Sequence, residues 1–241
     1  MGCRVVDGGY KSFRKHVSDF LDKNIENYFL ILITGNTGTA KTKLLNLIEE
    51  RQGQTIDLES LANHKGSVFG SQGQKQPSQK LFETLIYDKV KNLKTGEPIF
   101  VEAESNKIGN LHIPKEFWKL MKNSPQIEIS ATVEQRAQFL VEEYSEITND
   151  LDLLEKQITS LSTIAGHKVV ESWLRMARNK EFIALAKQLI EKHYDPRYER
   201  GLLRKKKEVF ATLKIDNISP KGLSSMADRI LQTANNRMKA L

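Results

Sequence analysis

Residues 28–42, YFLILITGNTGTAKT, decide the fold. An apolar run from Phe29 to Ile33 enters a turn at Gly35 and leaves it through Lys41 and Thr42. Strand, glycine-containing loop and helix start, in that order, build a phosphate cradle. Backbone N–H groups of the loop point at phosphate oxygens, a Lys ammonium reaches the terminal phosphates, and a Thr hydroxyl can hold Mg²⁺. The stretch matches G-x-x-x-x-G-K-[ST] except at Ala40, which stands where the second Gly is expected. Gly35, Asn36, Thr37, Gly38, Thr39, Ala40, Lys41 and Thr42 are therefore the candidate phosphate- or diphosphate-binding residues. Alanine is the smallest replacement for glycine, but its Cβ penalises a positive φ. A chance match in a turn is the competing reading, and Ala40 is its best support.

Working outward, Tyr10, Phe13, Val17, Phe20 and Leu21 recur at helical spacing, which predicts a helix over 10–26. Downstream, Leu44, Leu45, Leu47 and Ile48 give the buried face of a helix over 40–52. A short strand follows at 55–58, with Asp57 and Glu59 at its end, where α/β sheets place functional groups. Residues 63–79, NHKGSVFGSQGQKQPSQ, carry Gly66, Gly70, Gly73 and Pro77 and read as a long loop. Long loops in compact domains are functional or merely mobile. Asn63, His64, Lys65, Gly66 and Ser67 form its candidate substrate-contacting segment. Leu81, Phe82, Leu85, Ile86, Val90 and Leu93 predict a helix over 79–93. The buried strand PIFVEA, 98–103, then ends in Glu102 and Glu104, carboxylates placed as in a Mg²⁺-supporting element. Lys41, Glu102 and Glu104 are the candidate catalytic residues, and Thr42, Asp57 and Glu102 the candidate Mg²⁺ ligands. A helix over 113–122, a strand over 126–130 and a helix over 132–144 complete a repeated strand–helix pattern. That pattern implies an α/β fold, a P-loop NTPase-like three-layer parallel sheet.

After Glu146 the strand signal stops. Helical spacing covers 151–164, 169–177, 181–193 and part of 223–239, so residues 147–241 read as an all-helical, basic appendage behind a P-loop domain at 10–146. Charge is divided the same way. Residues 1–150 hold 19 Lys and Arg against 20 Asp and Glu, and residues 151–241 hold 18 against 10. All the net charge of +7 thus arises in the last third of the 241 residues. Such asymmetry points to a polyanion, commonly a nucleic acid, with a solvated Lys-rich surface as the alternative. Arg197, Arg200, Arg204, Lys205, Lys206 and Lys207 are the candidate contacts.

Other chemistries lack residues. Histidines stand at 16, 64, 112, 167 and 193 without metal-ligand spacing, and neither C-x-x-C nor H-E-x-x-H occurs. There is no G-x-S-x-G. Cys3 is the one cysteine, which excludes an internal disulfide and fits a reducing cytoplasm. No run of 18 apolar residues predicts a membrane span. The start, MGCRVVDGGY, lacks the features of a signal peptide or a myristoylation site. What remains is binding of a phosphate or diphosphate with Mg²⁺ beside a basic surface, and the loop does not choose among ATP hydrolysis, phosphoryl transfer and diphosphate departure.

Six segments together resemble one family, the tRNA 2-selenouridine synthases: VVDGGYKSFRK (5–15), GNTGTAKT (35–42), DLESLANHKGSVFG (57–70), QPSQKLFE (76–83), VEAESNKIG (101–109) and HYDPRY (193–198). The resemblance implies an enzyme acting on the wobble 2-thiouridine of tRNA. Its sulfur is first geranylated from geranyl diphosphate, and the S-geranyl group is then displaced using selenophosphate. Family members carry an N-terminal rhodanese-like domain with a selenium-handling cysteine. This sequence begins where that domain ends, residues 1–9 reading as its tail, and Cys3 does not match the cysteine. The resemblance therefore implies the geranyl-transfer half, with selenation needing a separate rhodanese-type partner. A P-loop kinase or ATPase, or a non-catalytic tRNA-binding remnant, are the other readings.

Overall fold

The computed structural model describes residues 7–64, 75–103, 105–203 and 208–240, with only the backbone of 200–203. Among the described residues there are seven strands: β1 (Phe29–Thr34), β2 (Gln54–Ile56), β3 (Pro98–Glu102), β4 (Lys107–Ile108), β5 (Leu111–His112), β6 (Gln126–Ser130) and β7 (Val209–Lys214). β4 and β5 form a small antiparallel hairpin; the other five form one sheet in the order β2-β3-β1-β6-β7. Every pairing in the large sheet is parallel. The predicted P-loop type α/β architecture is therefore present.

The helices of the first two-thirds are α1 (Gly9–Lys23), α2 (Lys41–Glu50), α3 (Leu58–Leu61), α4 (Gln79–Val90), α5 (Lys115–Asn123) and α6 (Val133–Glu143). Central strand β1 is buried on both faces, and its alternation sorts the layers. Leu30 and Leu32 pack with Val17, Phe82, Ile86 and Phe117 from α1, α4 and α5. Ile31 and Ile33 pack on the opposite face with Leu44, Leu45 and Ile48 of α2. A near-continuous apolar run is what a strand covered by helices on both sides requires. α6 starts with a capping box, the Thr132 hydroxyl accepting from the Gln135 N–H while the Gln135 side chain accepts from the Thr132 N–H.

Beyond these come α7 (Ser145–Asn149), α8 (Leu151–Ser160), α9 (Ser162–Ala165), α10 (His167–Arg178), α11 (Phe182–Leu189), a π-helical turn over Ile190–Tyr194, and α12 (Asp195–Leu203). α8, α10 and α11 enclose their own core around the fully buried Trp173. Ala186 and Ile190 pack on Ala137 and hold this helical layer against α6.

The all-helical reading of 147–241 is corrected by β7. It pairs with β6 in parallel and becomes the fifth strand of the sheet, Ile129 opposite Leu213. The last helix, α13 (Pro220–Met238), also leaves the helical layer and covers α2, with Met226 and Ile230 in the α2 core. Arg51 at the end of α2 donates to Asp228 at 2.6 Å and to the Ser224 hydroxyl at 2.6 Å. The physical reason for the difference is position. β7 is an edge strand with mixed burial, so VFATLK carries neither the apolar run nor the clean alternation that marks an inner strand.

Candidate active site

The loop after β1 has the backbone its sequence requires. Gly35 has φ 149° and Gly38 φ 89°. A Cβ at Gly35 would lie 2.5 Å from the Ile129 carbonyl oxygen and 2.8 Å from the Thr39 hydroxyl. At Gly38 it would lie 2.9 Å from Cβ of Arg136. Ala40 adopts the left-handed conformation of the glycine it replaces, φ 59° and ψ 32°, and caps α2 without a side-chain bond. Its methyl is buried in the α2 core, which offsets part of the strain. Because the first turn of α2 opens with the Leu44 N–H bonding the Ala40 carbonyl, the N–H groups of residues 41–43 precede the helical ladder. A helix of ten residues thus presents donors and the positive end of its dipole to the loop.

Three of the predicted residues converge here. Lys41 Nζ donates to the Gly35 carbonyl at 2.9 Å and lies 3.8 Å from Glu102 Oε1. The Thr42 hydroxyl donates to Glu102 Oε2 at 3.0 Å. Glu102 ends β3, next to β1 and opposite Ile33, and is only 4% exposed. Burial pushes its carboxyl above the ordinary carboxylate range, while the Lys41 charge and the Thr42 hydroxyl pull it back. A hydroxyl and a carboxylate side by side are hard oxygen donors of the kind Mg²⁺ takes, so Thr42 and Glu102 fit that ion. Asp57 is engaged elsewhere: it caps α3, accepting from the Ser60 N–H at 2.8 Å. Burial raises its carboxyl too, and its charge reaches Glu102. Among the described residues no three His, Cys, Asp or Glu side chains gather as a metal cluster.

A second set of contacts holds the loop, through residues that sequence spacing does not mark. Arg136 of α6, 3% exposed, donates to both carboxylate oxygens of Asp195 at 2.8 and 2.7 Å. It also donates to the Thr37 carbonyl of the loop at 3.2 Å. Three residues on, Tyr198 accepts from the Gly35 N–H at 3.0 Å, and burial keeps its phenol in the protonated form by raising its pKa. The segment HYDPRY therefore docks on the phosphate loop. His193 in the same segment is buried, its Nε2 3.3 Å from Arg197, and burial with the Arg197 charge lowers its pKa. A cleft of about 420 Å³ is bordered by Gly35, Gly38, Lys41, Thr42, Glu102 and Tyr198 among others.

Of the other predicted residues, Asn63, His64 and Arg197 are described, and they stand apart from this cluster. Asn63, at the end of α3 with φ 49°, donates to the Lys75 carbonyl at 3.3 Å. The His64 N–H bonds the Glu59 carbonyl at 3.0 Å, and Glu59 borders the cleft. Arg197 is exposed and turned to His193. Lys65, Gly66, Ser67, Glu104 and the run Arg204, Lys205, Lys206, Lys207 lie outside the described residues, as does the side chain of Arg200.

Residues 28–164 match the family model described as the tRNA 2-selenouridine synthase AAA domain. The chain belongs to the tRNA 2-selenouridine synthase family. It is 38% identical over 142 residues to the tRNA 2-selenouridine synthase of Alcanivorax borkumensis, covering 58% of this chain and 38% of that protein. With the enzyme of Cupriavidus pinatubonensis it shares 32% over 174 residues, covering 71% and 45%. The match to Shewanella denitrificans reaches 234 residues at 28%, covering 85% and 62%. The chain thus spans between 38% and 62% of the length of these relatives. Among solved structures it is similar to a tRNA delta(2)-isopentenylpyrophosphate transferase of Staphylococcus epidermidis, at 14% identity and a TM-score of 0.41, covering 87% of this chain and 99% of that one. A likeness that loose says nothing about chemistry. No helix among the described residues is long and apolar enough to cross a membrane.

Proposed function

We propose that this chain carries out the geranyl-transfer stage of 2-selenouridine formation on tRNA. Geranyl diphosphate binds with its diphosphate on the loop of residues 35–42. The thiocarbonyl sulfur of the wobble 2-thiouridine attacks C1 of the geranyl group. The C–O bond breaks as the S–C bond forms, its electron pair leaves on diphosphate, and the N3–H proton of the base passes to the diphosphate or to water. Loop N–H groups, the start of α2 and Lys41 stabilise the charge that develops on the departing oxygen. Lys41, which bonds the Gly35 carbonyl, turns to the ligand when diphosphate offers a stronger acceptor. Mg²⁺, when bound by Thr42 and Glu102, would neutralise diphosphate charge. The protein needs no thiol of its own for this step, because the nucleophile is on the tRNA. Basic residues 204–207 hold tRNA phosphates in this reading. Replacement of the S-geranyl group using selenophosphate follows and relies on a rhodanese-type domain.

The observation that supports this reading best is the meeting of Lys41, Thr42 and Glu102 at a helix N-terminus in a member of this family. The test is to incubate the pure chain with 2-thiouridine tRNA and geranyl diphosphate and analyse the nucleosides by mass spectrometry. S-geranyl-2-thiouridine is expected, and Lys41→Ala should lower its rate by about 10²-fold, the usual effect of deleting one donor to developing negative charge. No product, together with ATP turnover that Lys41→Ala abolishes, would instead identify a P-loop kinase or ATPase.

A further inference from the structure

A second cavity lies beside the phosphate cleft, lined from α6, α7, α8 and α11. Its wall is almost wholly carbon, with Phe182, Leu185 and Leu189 of α11 on one side and Leu140 and Val141 of α6 on the other. Thr37, Leu140, Tyr144 and Tyr194 border both this cavity and the cleft that holds Lys41 and Glu102. A cationic, donor-rich cleft and an apolar cavity therefore stand side by side and share part of their lining. The apolar part measures about 70 Å³. That is roughly half of the ~150 Å³ apolar cavity that takes up benzene, so it accommodates the last few carbons of a chain and not a whole chain.

We propose that this cavity seats the far end of the hydrocarbon chain of a prenyl diphosphate whose diphosphate lies on the loop, and that Leu185, Ala186 and Leu189 set the maximum chain length. The inference rests on the prenyl-diphosphate reading above. The first isoprene unit lies at the shared border of Leu140, Tyr144 and Tyr194, and the last carbons of the second enter the pocket. Ala186 decides the depth. It is the smallest side chain on the α11 wall and is buried against α6. A larger residue there narrows the pocket.

The experiment is a chain-length series measured by calorimetry on the intact chain: inorganic diphosphate, then dimethylallyl (five-carbon), geranyl (ten-carbon) and farnesyl (fifteen-carbon) diphosphates. Burial of three carbons predicts that geranyl diphosphate binds about 50-fold more tightly than the five-carbon compound. Ala186→Leu should erase that gain and leave inorganic diphosphate and the five-carbon compound unchanged. Leu185→Ala, which enlarges the pocket, should admit the fifteen-carbon compound and guards against a filled variant that does not fold. Diphosphate binding with no gain from five to ten carbons overturns this inference alone. So does a gain that survives Ala186→Leu while S-geranyl product still forms. Failure of the parent chain to bind inorganic diphosphate or any member of the series overturns the proposed function and this inference together.

Discussion

Arg136 joins Asp195 to the phosphate loop, and its replacement tests the docking of residues 193–198 there. Its guanidinium is buried, makes a two-pronged pair with Asp195 and holds the Thr37 carbonyl. Removing one partner of a buried pair costs about 3–5 kcal/mol, because the other charge is left without compensation. The Asp195 side chain is 19% exposed, so water recovers part of that loss. The expected cost of Arg136→Met is therefore about 2–4 kcal/mol, including about 1 for the bond to Thr37. With a urea dependence near 2–3 kcal/mol/M this lowers the unfolding midpoint by roughly 1 M. Arg136→Met combined with Asp195→Leu removes both charges and should recover most of the stability, since apolar replacements of a whole buried pair are close to neutral. Both variants should bind diphosphate more weakly than the parent, because neither holds the Thr37 carbonyl. The measurement is urea unfolding of the parent, both single variants and the double variant. If Arg136→Met lies within about 1 kcal/mol of the parent, or the double variant loses as much as the two singles together, the pair is not a latch and the argument fails.

Two further perturbations probe the loop and its support. Ala40→Gly should be nearly neutral in stability: relief of a left-handed alanine, about 1–2 kcal/mol, is set against about 0.4–1 for the freer unfolded glycine and about 0.8 for the buried methyl. Gly35→Ala, whose Cβ would press on the Ile129 carbonyl, should destabilise by about 1–3 kcal/mol and abolish diphosphate binding; thermal unfolding and calorimetry of the pair separate the two positions. His193 predicts a pH effect. Its folded pKa is held below the ordinary value near 6.5 by burial, so between that folded value and about pH 6.5 the unfolded chain binds more protons. Stability contributed by the neutral imidazole is present above about pH 6.5 and is lost as pH falls through that window. His193→Gln should reduce the difference in urea midpoint between about pH 7.5 and pH 5.5, and an unchanged difference would show that other groups carry it.

Local chemistry made the phosphate loop and the inner sheet legible before any coordinates. Apolar runs such as Phe29–Thr34 and Pro98–Glu102 have no stable place but the inside of a covered parallel sheet, and the turn at Gly35 followed by Lys41 and Thr42 has one electrostatic consequence. Glu102 could be named as a partner of that loop because β3 ends on its carboxylate. Tertiary structure alone decided the rest. β7 begins 79 residues after β6 ends, and nothing within VFATLK states which edge it will find. Arg136 reads as one charge on an amphipathic helix until α12 brings Asp195 to it, and Tyr198 becomes a partner of Gly35 across 163 residues. The apolar cavity beside the cleft likewise belongs to no segment, since α6, α7, α8 and α11 each supply part of its wall. Periodicity reports which face of an element is buried. It does not report against what, because that depends on the loop closures and packing that set elements side by side.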